Sequence, residues 1–314
     1  MSTLGLTQVT AQPLPHEGKG HKFRVALLTL AAGATTAGIL YYGLDYYLTP
    51  AMDRPYHPRH AMLRPGGLVG LSLGVFGVLL FLLIFMYPLR KRWKWMGKIG
   101  NSRHWLDFHI VLGLTGPVVI AFHASFKFGG VAGMAYWIMF AVAISGLVGR
   151  YVYAQIPRSM NSTDVSLQEL KQRQDRLTSE LAAQRVVRPG DLAILFRLPS
   201  ARYVEQESLL RALCALLWID VKRPFRVARV RRGALRFGGK LFSLFGLFSS
   251  RNYKVEHIIS VAREQARLSK KMLFLTKSQK ILHLWHVIHR PFSYSFAVLA
   301  LVHIAIASLF GLMR

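Results

Sequence analysis

The chain alternates long apolar stretches with polar stretches rich in lysine and arginine. Five stretches are apolar over about 20 residues or more, the length an α-helix needs to cross the ~30 Å hydrocarbon core of a bilayer. They cover residues 23–49, 67–87, 105–126, 131–153 and 281–313. Helices satisfy their own backbone groups in lipid. The pattern therefore predicts an all-α integral membrane protein with five transmembrane helices.

The polar stretches divide the chain into domains. A charged segment at 167–184 has apolar residues at helical spacing and predicts a solvated helix. The apolar run 209–218 is too short to span and predicts a buried or interfacial helix. The predicted domains are a polar tail at 1–22, four transmembrane helices in 23–153, a basic region at 154–280 and the fifth helix in 281–314.

Charge sets the predicted orientation. The net charge is +27 although 52% of the residues are hydrophobic. The basic residues concentrate at 89–103 and 154–280, and the intervening loops carry few. By the positive-inside rule both basic segments are cytoplasmic, which places the N-terminus inside and the C-terminus outside. This rule accounts for the basic charge, and membrane lipid is the partner we expect for it. We therefore expect no nucleic-acid partner.

The cysteine content limits the redox chemistry. Cys214 is the only cysteine in the sequence. One thiol cannot form a disulfide within the chain or a CxxCH site for c-type haem. It also cannot hold an iron–sulfur cluster without other chains, so any such centre belongs to a partner.

Two of the predicted helices each carry a histidine pair with the same spacing. His109 and His123 lie fourteen residues apart in the third helix, and His289 and His303 lie fourteen apart in the fifth. Fourteen residues at ~100° each make almost four turns, so each pair shares one helix face with ~21 Å along the axis between its members. Two such helices facing each other predict two stacked metal centres.

Histidine is a usual axial ligand of haem iron, and two imidazoles on one iron favour electron transfer over ligand chemistry. The third and fifth helices run in the same direction, so we expect His109 to pair with His289 and His123 with His303. The spacing thus predicts two haem b groups in a four-helix bundle of helices two to five. The alternative for any single histidine is a polar group satisfied by a neighbour, or part of a proton path.

Other polar residues near the predicted cytoplasmic helix ends are candidates for contacts to haem propionates or to a quinone. Arginine forms charge-assisted pairs with carboxylates; the alternative for each residue is anchoring at the lipid headgroups. Asp107 is a candidate for proton uptake or helix capping. The propionate or quinone candidates are Arg290, Arg92, Arg103, Arg150, His104, His283 and His286.

Two further groups of residues carry weaker predictions. Tyrosines at the end of the first helix predict an interfacial aromatic belt: Tyr41, Tyr42, Tyr46 and Tyr47. Small residues near the histidines would leave room for a large ring, or would allow close helix packing: Gly113, Gly116, Ala132, Ala135, Gly146 and Gly149.

The paired histidine helices resemble the dihaem core of membrane cytochromes b, as in bc-type complexes and, in a similar form, ferric-reductase-type proteins. The stretch Lys277–Phe292, KSQKILHLWHVIHRPF, is similar to bacterial cytochrome b-like membrane proteins that accompany multihaem c-type cytochromes. The resemblance covers 67–153 and 281–312 but not 154–280. It implies haem ligation by the four histidines and a multi-pass protein of the bacterial inner membrane. Its partners would be quinone or quinol and a multihaem c-type cytochrome or iron–sulfur protein.

The sequence also departs from these families. The bc-type proteins carry further helices and a quinol-site motif after the haem core, which are not found in residues 1–314. The sequence has no GxGxxG turn after a strand, so the nucleotide-binding domain of a ferric reductase is not indicated. We therefore expect a quinol or a protein as electron donor. The expected function is electron transfer across the membrane between the quinone pool and a redox protein, as a subunit of an oxidoreductase complex.

Two other functions fit part of the same sequence. A transporter would use the buried histidines to relay protons or bind a metal ion, and it would be colourless. A membrane scaffold would recruit an acidic partner or lipid headgroups through the basic region, and its function would not depend on the four histidines.

Overall fold

The computed structural model describes residues 19–156, 165–184, 187, 189–234 and 252–310. These residues form helices, joined by turns and one 3₁₀ segment at Arg54–Tyr56, and no strand occurs among them. The predicted all-α class is confirmed. In chain order the α-helices are α1 (Lys19–Leu48), α2 (His60–Leu63), α3 (Leu68–Arg92), α4 (Lys94–Gly97), α5 (Ser102–His123), α6 (Gly130–Gln155), α7 (Val165–Ala183), α8 (Pro189–Ala193), α9 (Ala201–Gln206), α10 (Leu209–Ala234), α11 (Tyr253–Leu273) and α12 (Leu275–Leu309).

Five helical segments in the described part of the chain are long and apolar enough to cross a membrane. This agrees with the number expected from the hydropathy pattern, and it is compatible with a multi-pass membrane protein. The segments are Phe23–Leu48, His60–Arg92, His104–His123, Gly130–Gln155 and Leu275–Leu309.

The helix ends differ from the predicted ones by a few residues, for local reasons. Helix α1 begins at Lys19, inside the predicted tail, whose residues 1–18 lie outside the described part. Helix α3 continues through Pro88, so its last turn is basic, which suits the negative end of the helix dipole. Helix α5 ends at His123, because Ser125 and Phe126 adopt left-handed φ values of 48° and 58°.

The chain divides into two compact units. The first comprises Met1–Leu147 and Arg290–Arg314, and the second Val148–His289. In the first unit α3 packs along α5, and the end of α1 joins the same core. Tyr46 and Tyr47 are 0% and 8% exposed in this core, where Tyr47 contacts the Phe122 ring. The prediction that these two tyrosines lie in an interfacial belt is therefore wrong.

A buried arginine ties the loop after α1 to the end of α5. The Arg54 guanidinium donates to the carbonyl oxygens of Tyr47 (2.8 Å), Thr49 (2.9 Å) and Ser125. Ser125 is itself fully buried, and its hydroxyl donates to the carbonyl of Leu63 at 2.8 Å. These bonds satisfy carbonyls at or just beyond the ends of α1, α2 and α5, and so they hold the turn that follows His123.

The second unit has hydrophobic cores of its own. One core joins α8, α10 and α11, and another joins α9 and α10 to Phe274. The predicted solvated helix is α7, which packs on α11. The run 209–218 opens α10 and buries one face, since Leu216 is 0% exposed while Trp218 is 58% exposed.

Candidate metal centre

His123 and His303 lie close together in the first unit. His123 is the last residue of α5, His303 lies near the end of α12, and their ring centroids are 6.5 Å apart. A metal ion held between two imidazoles, with bonds of ~2.0 Å to nitrogens ~1.1 Å from each ring centre, corresponds to a centroid separation of up to ~6.2 Å. The ring planes meet at 74°. The separation therefore fits one bridged metal ion.

A backbone carbonyl orients the His123 ring. Its Nδ1 lies 2.8 Å from the carbonyl oxygen of Gly70 on α3. A carbonyl oxygen only accepts, so Nδ1 carries the proton and Nε2 of the neutral ring keeps its lone pair. Metal-ligating histidines almost always donate their second ring nitrogen in this way. His123 is thus arranged as a ligand through Nε2.

Glycines on α3 allow this close approach. A Cβ atom on Gly74 would lie 2.7 Å from Cε1 of His123, and one on Gly77 would collide with the Ile120 side chain. Gly70, Gly74 and Gly77 follow helical spacing, so they share the face of α3 that packs on α5. Sequence reasoning missed these residues, although their spacing was a readable signal.

His109 has the same kind of backbone partner. Its Nδ1 lies 3.0 Å from the carbonyl oxygen of Ile84, also on α3, and its ring lies 5.2 Å from that of Tyr87. In the second unit the His289 ring stacks on Trp285 with centroids 4.6 Å apart. The pairing of His109 with His289 stays a prediction.

An aromatic contact joins α3 to α12 in the first unit. Phe81 of α3 meets Phe296 of α12 edge-on at 4.7 Å, and a Cβ on Gly116 would contact the Phe81 ring at 3.4 Å. Residue 116 is halfway from 109 to 123, and residue 296 is halfway from 289 to 303. The contact therefore lies ~10 Å along each helix from His123 and His303.

His104 contacts a residue from the predicted tail. Its ring stacks on that of His21 at 3.6 Å, and Nε2 of His21 lies 3.1 Å from Oδ2 of Asp107. His21 is 5% exposed. No sequence signal indicated this contact, because residues up to 22 read as a loose tail. Asp107 lies beyond the first turn of α5, so it does not cap that helix.

The other propionate or quinone candidates occupy varied surroundings. In the first unit Arg92 and Arg290 are exposed, and the Arg103 side chain lies outside the described part. In the second unit Arg150 is partly buried and His283 is exposed. Nδ1 of His286 lies 2.9 Å from the carbonyl of Leu282 in its own helix.

Two of the predicted small residues have clear roles in packing. Gly116 faces Phe81, and Gly149 lies so close to the Trp285 indole that a Cβ would overlap it. Gly149 therefore serves close helix packing. A Cβ on Gly113 would meet no described atom within 4 Å.

The known proteins offer no further guide to this arrangement. Comparison with protein families, with curated proteins and with solved structures finds no match. Among the described residues, no three His, Cys, Asp or Glu side chains come together as a metal site.

Proposed function

We propose that this protein is a membrane b-type cytochrome that transfers electrons across the membrane between the quinone pool and a redox partner protein. His123 and His303 would hold one haem b, and His109 and His289 would hold a second. The protein would lie in the bacterial inner membrane with its N-terminus in the cytoplasm.

The observation that carries the proposal is the His123–His303 pair. Its 6.5 Å ring separation matches two ligands on one metal ion, and the Gly70 carbonyl selects the tautomer that leaves Nε2 of His123 for the metal. The same selection by the Ile84 carbonyl at His109 supports a second centre. A bis-histidine haem supplies one-electron transfer.

The residues of the chain would position these centres. Backbone carbonyls on α3 orient both α5 imidazoles, so the ligands are preorganised by helix packing rather than by flexible side chains. Levels ~21 Å apart along each helix would cover much of the ~30 Å hydrocarbon core. Electron flow from quinol to a periplasmic multihaem c-type cytochrome fits the lack of a flavin motif in the sequence; an iron–sulfur protein is the alternative partner.

The test is a haem count and a reduced-minus-oxidised spectrum of the purified full-length protein. We expect two b-type haems per chain. His303→Ala should lose the haem held with His123 and keep the other, whereas His257→Ala, at an exposed histidine of the second unit, should keep both.

Each other outcome changes the proposal in a definite way. If His303→Ala keeps two haems, His303 is not a ligand. If the wild type holds one haem, the second centre is withdrawn. A colourless protein from cells with ample haem would overturn the cytochrome and favour the proton- or metal-handling transporter.

A further inference from the structure

A small cleft in the second unit is lined by three arginines around an apolar floor. Arg223 and Arg226 lie three residues apart on α10, so they share one helix face, and Arg263 comes from α11. Arg223 and Arg226 are partly buried, and Arg263 is exposed at the rim. The floor is formed by Leu195, Leu198, Ile219 and Ala266.

Firm packing of α10 on α11 holds these arginines in place. Val230 of α10 and Ile259 of α11 belong to one core and are 0% and 1% exposed. Arg231 clamps the two helices through a two-pronged ion pair with Glu256, with N–O distances of 2.7 and 2.9 Å. The guanidinium groups around the cleft are therefore carried on a rigid helix pair.

The positive charge of the cleft is poorly balanced by the protein. Asp220 lies 2.8 Å from Arg223, but the same carboxylate also bonds Nζ of the buried Lys270 at 2.6 Å. Arg226 donates to the carbonyl oxygen of Arg197 at 2.9 Å. Within the described residues no carboxylate forms an ion pair with Arg226 or Arg263. The cleft thus keeps a net positive charge.

Mutual repulsion among these cations is unfavourable. Burial lowers the pKa of Arg226, and the nearby charges of Arg197 and Arg223 lower it further. Burial likewise lowers the pKa of Arg263, followed by the charges of Arg267, Arg231 and Arg223, and the Glu256 carboxylate opposes this shift only in part. Arginine stays protonated in proteins, so the crowding persists, and an anion in the cleft would relieve it.

We propose that this cleft binds a phosphate group, carried by an anionic phospholipid or by a soluble phosphate compound. The planar guanidinium group of arginine can donate two parallel hydrogen bonds to the oxygens of one phosphate. The ammonium group of lysine, which acts as a point charge, cannot form this bidentate contact. All three arginines line this one cleft, and they come from two packed helices. The apolar floor would contact the group that bears the phosphate. This site does not depend on the proposed haems.

The test measures two probes on the full-length protein in mild detergent. Equilibrium dialysis with radiolabelled inorganic phosphate reports the soluble ligand. The amount of phosphatidic acid retained per chain after exchange into mixed phosphatidylcholine–phosphatidic acid micelles reports the lipid. The cleft variant is R226Q/R263Q. The matched control, R202Q/R229Q, removes two charges from exposed arginines of the same unit that do not line the cleft.

We expect the wild type and R202Q/R229Q to bind the probe equally well. We expect R226Q/R263Q to bind it more weakly by a factor of about ten or more. Loss of phosphatidic acid alone assigns a lipid headgroup, and loss of inorganic phosphate assigns a soluble ligand. Absence of wild-type binding to both probes, or equal loss in both double variants, overturns the site. If R226Q/R263Q does not fold, R226K/R263K replaces it, and wild-type binding by that variant likewise overturns the proposal.

Discussion

Substitution of Gly74 by alanine tests whether the position of the His123 ring controls the proposed centre. The new methyl group would lie 2.7 Å from Cε1 and 2.8 Å from Nδ1 of His123, where ordinary contacts begin at 3.4 Å. The ring must therefore retreat by ~0.7 Å from α3. Such a shift stretches its 2.8 Å bond to the Gly70 carbonyl toward the limit of a hydrogen bond.

The expected losses follow from this geometry. Disturbing the partner that orients a metal-ligating histidine weakens metal binding by about 10–100-fold, so Gly74→Ala should purify with about one haem per chain. Overpacking costs about 1–3 kcal/mol, and the better helix propensity of alanine returns about 1 kcal/mol. We expect a net loss of about 0–2 kcal/mol in the free energy of unfolding.

The assay is a haem count, a reduced-minus-oxidised spectrum and a thermal unfolding curve. Gly38→Ala is the matched control, because it adds the same methyl group inside α1 where no described atom lies within 4 Å. It should keep both haems and equal or exceed the wild type in stability. Two haems with wild-type spectra and potentials in Gly74→Ala would refute the reasoning.

Two further predictions concern Asp220, which bonds the buried Lys270. Asp220→Asn should cost the second unit about 3–5 kcal/mol, because it leaves the Lys270 ammonium without its carboxylate. Thermal unfolding and limited proteolysis will show this, and equal stability of Asp220→Asn and the exposed-site control Asp175→Asn would contradict it. Burial raises the pKa of Asp220, but hydrogen bonds from Lys270 and Tyr151 outweigh burial and hold this pKa below 3.8. The stabilisation is therefore present above pH 3.8 and is lost as the pH falls through the lowered pKa of Asp220. If the wild type stayed more stable than Asp220→Asn at a pH below this lowered pKa, the expected pH dependence would be wrong.

The histidine spacing was informative because the number of residues between two positions fixes whether they share a helix face. Fourteen residues return to the same helix face in any α-helix, so the shared face of His289 and His303 followed from the sequence. That His303 lies against His123 also depends on how α12 packs, and the structure places these two rings 6.5 Å apart.

The residues that sequence reasoning missed act through backbone atoms or distant segments. Gly70 and Ile84 contribute carbonyl oxygens, which every residue has, so residue type carried no signal. His21 lies against His104 across 83 positions of sequence. Tyr46 is of a residue type that is common at membrane interfaces, but its side chain is fully buried. Composition alone does not distinguish these environments.

The sequence by itself determined the helical class, the number of membrane-length helices and the faces on which the histidines lie. These features depend on local hydropathy and on helix geometry, which neighbouring residues set together. The tertiary structure alone decided which carbonyl orients each α5 imidazole, which glycines admit the His123 ring, and which arginines share a cleft. Those relations join segments far apart in the chain, and only the packing of one helix on another brings their atoms within contact distance.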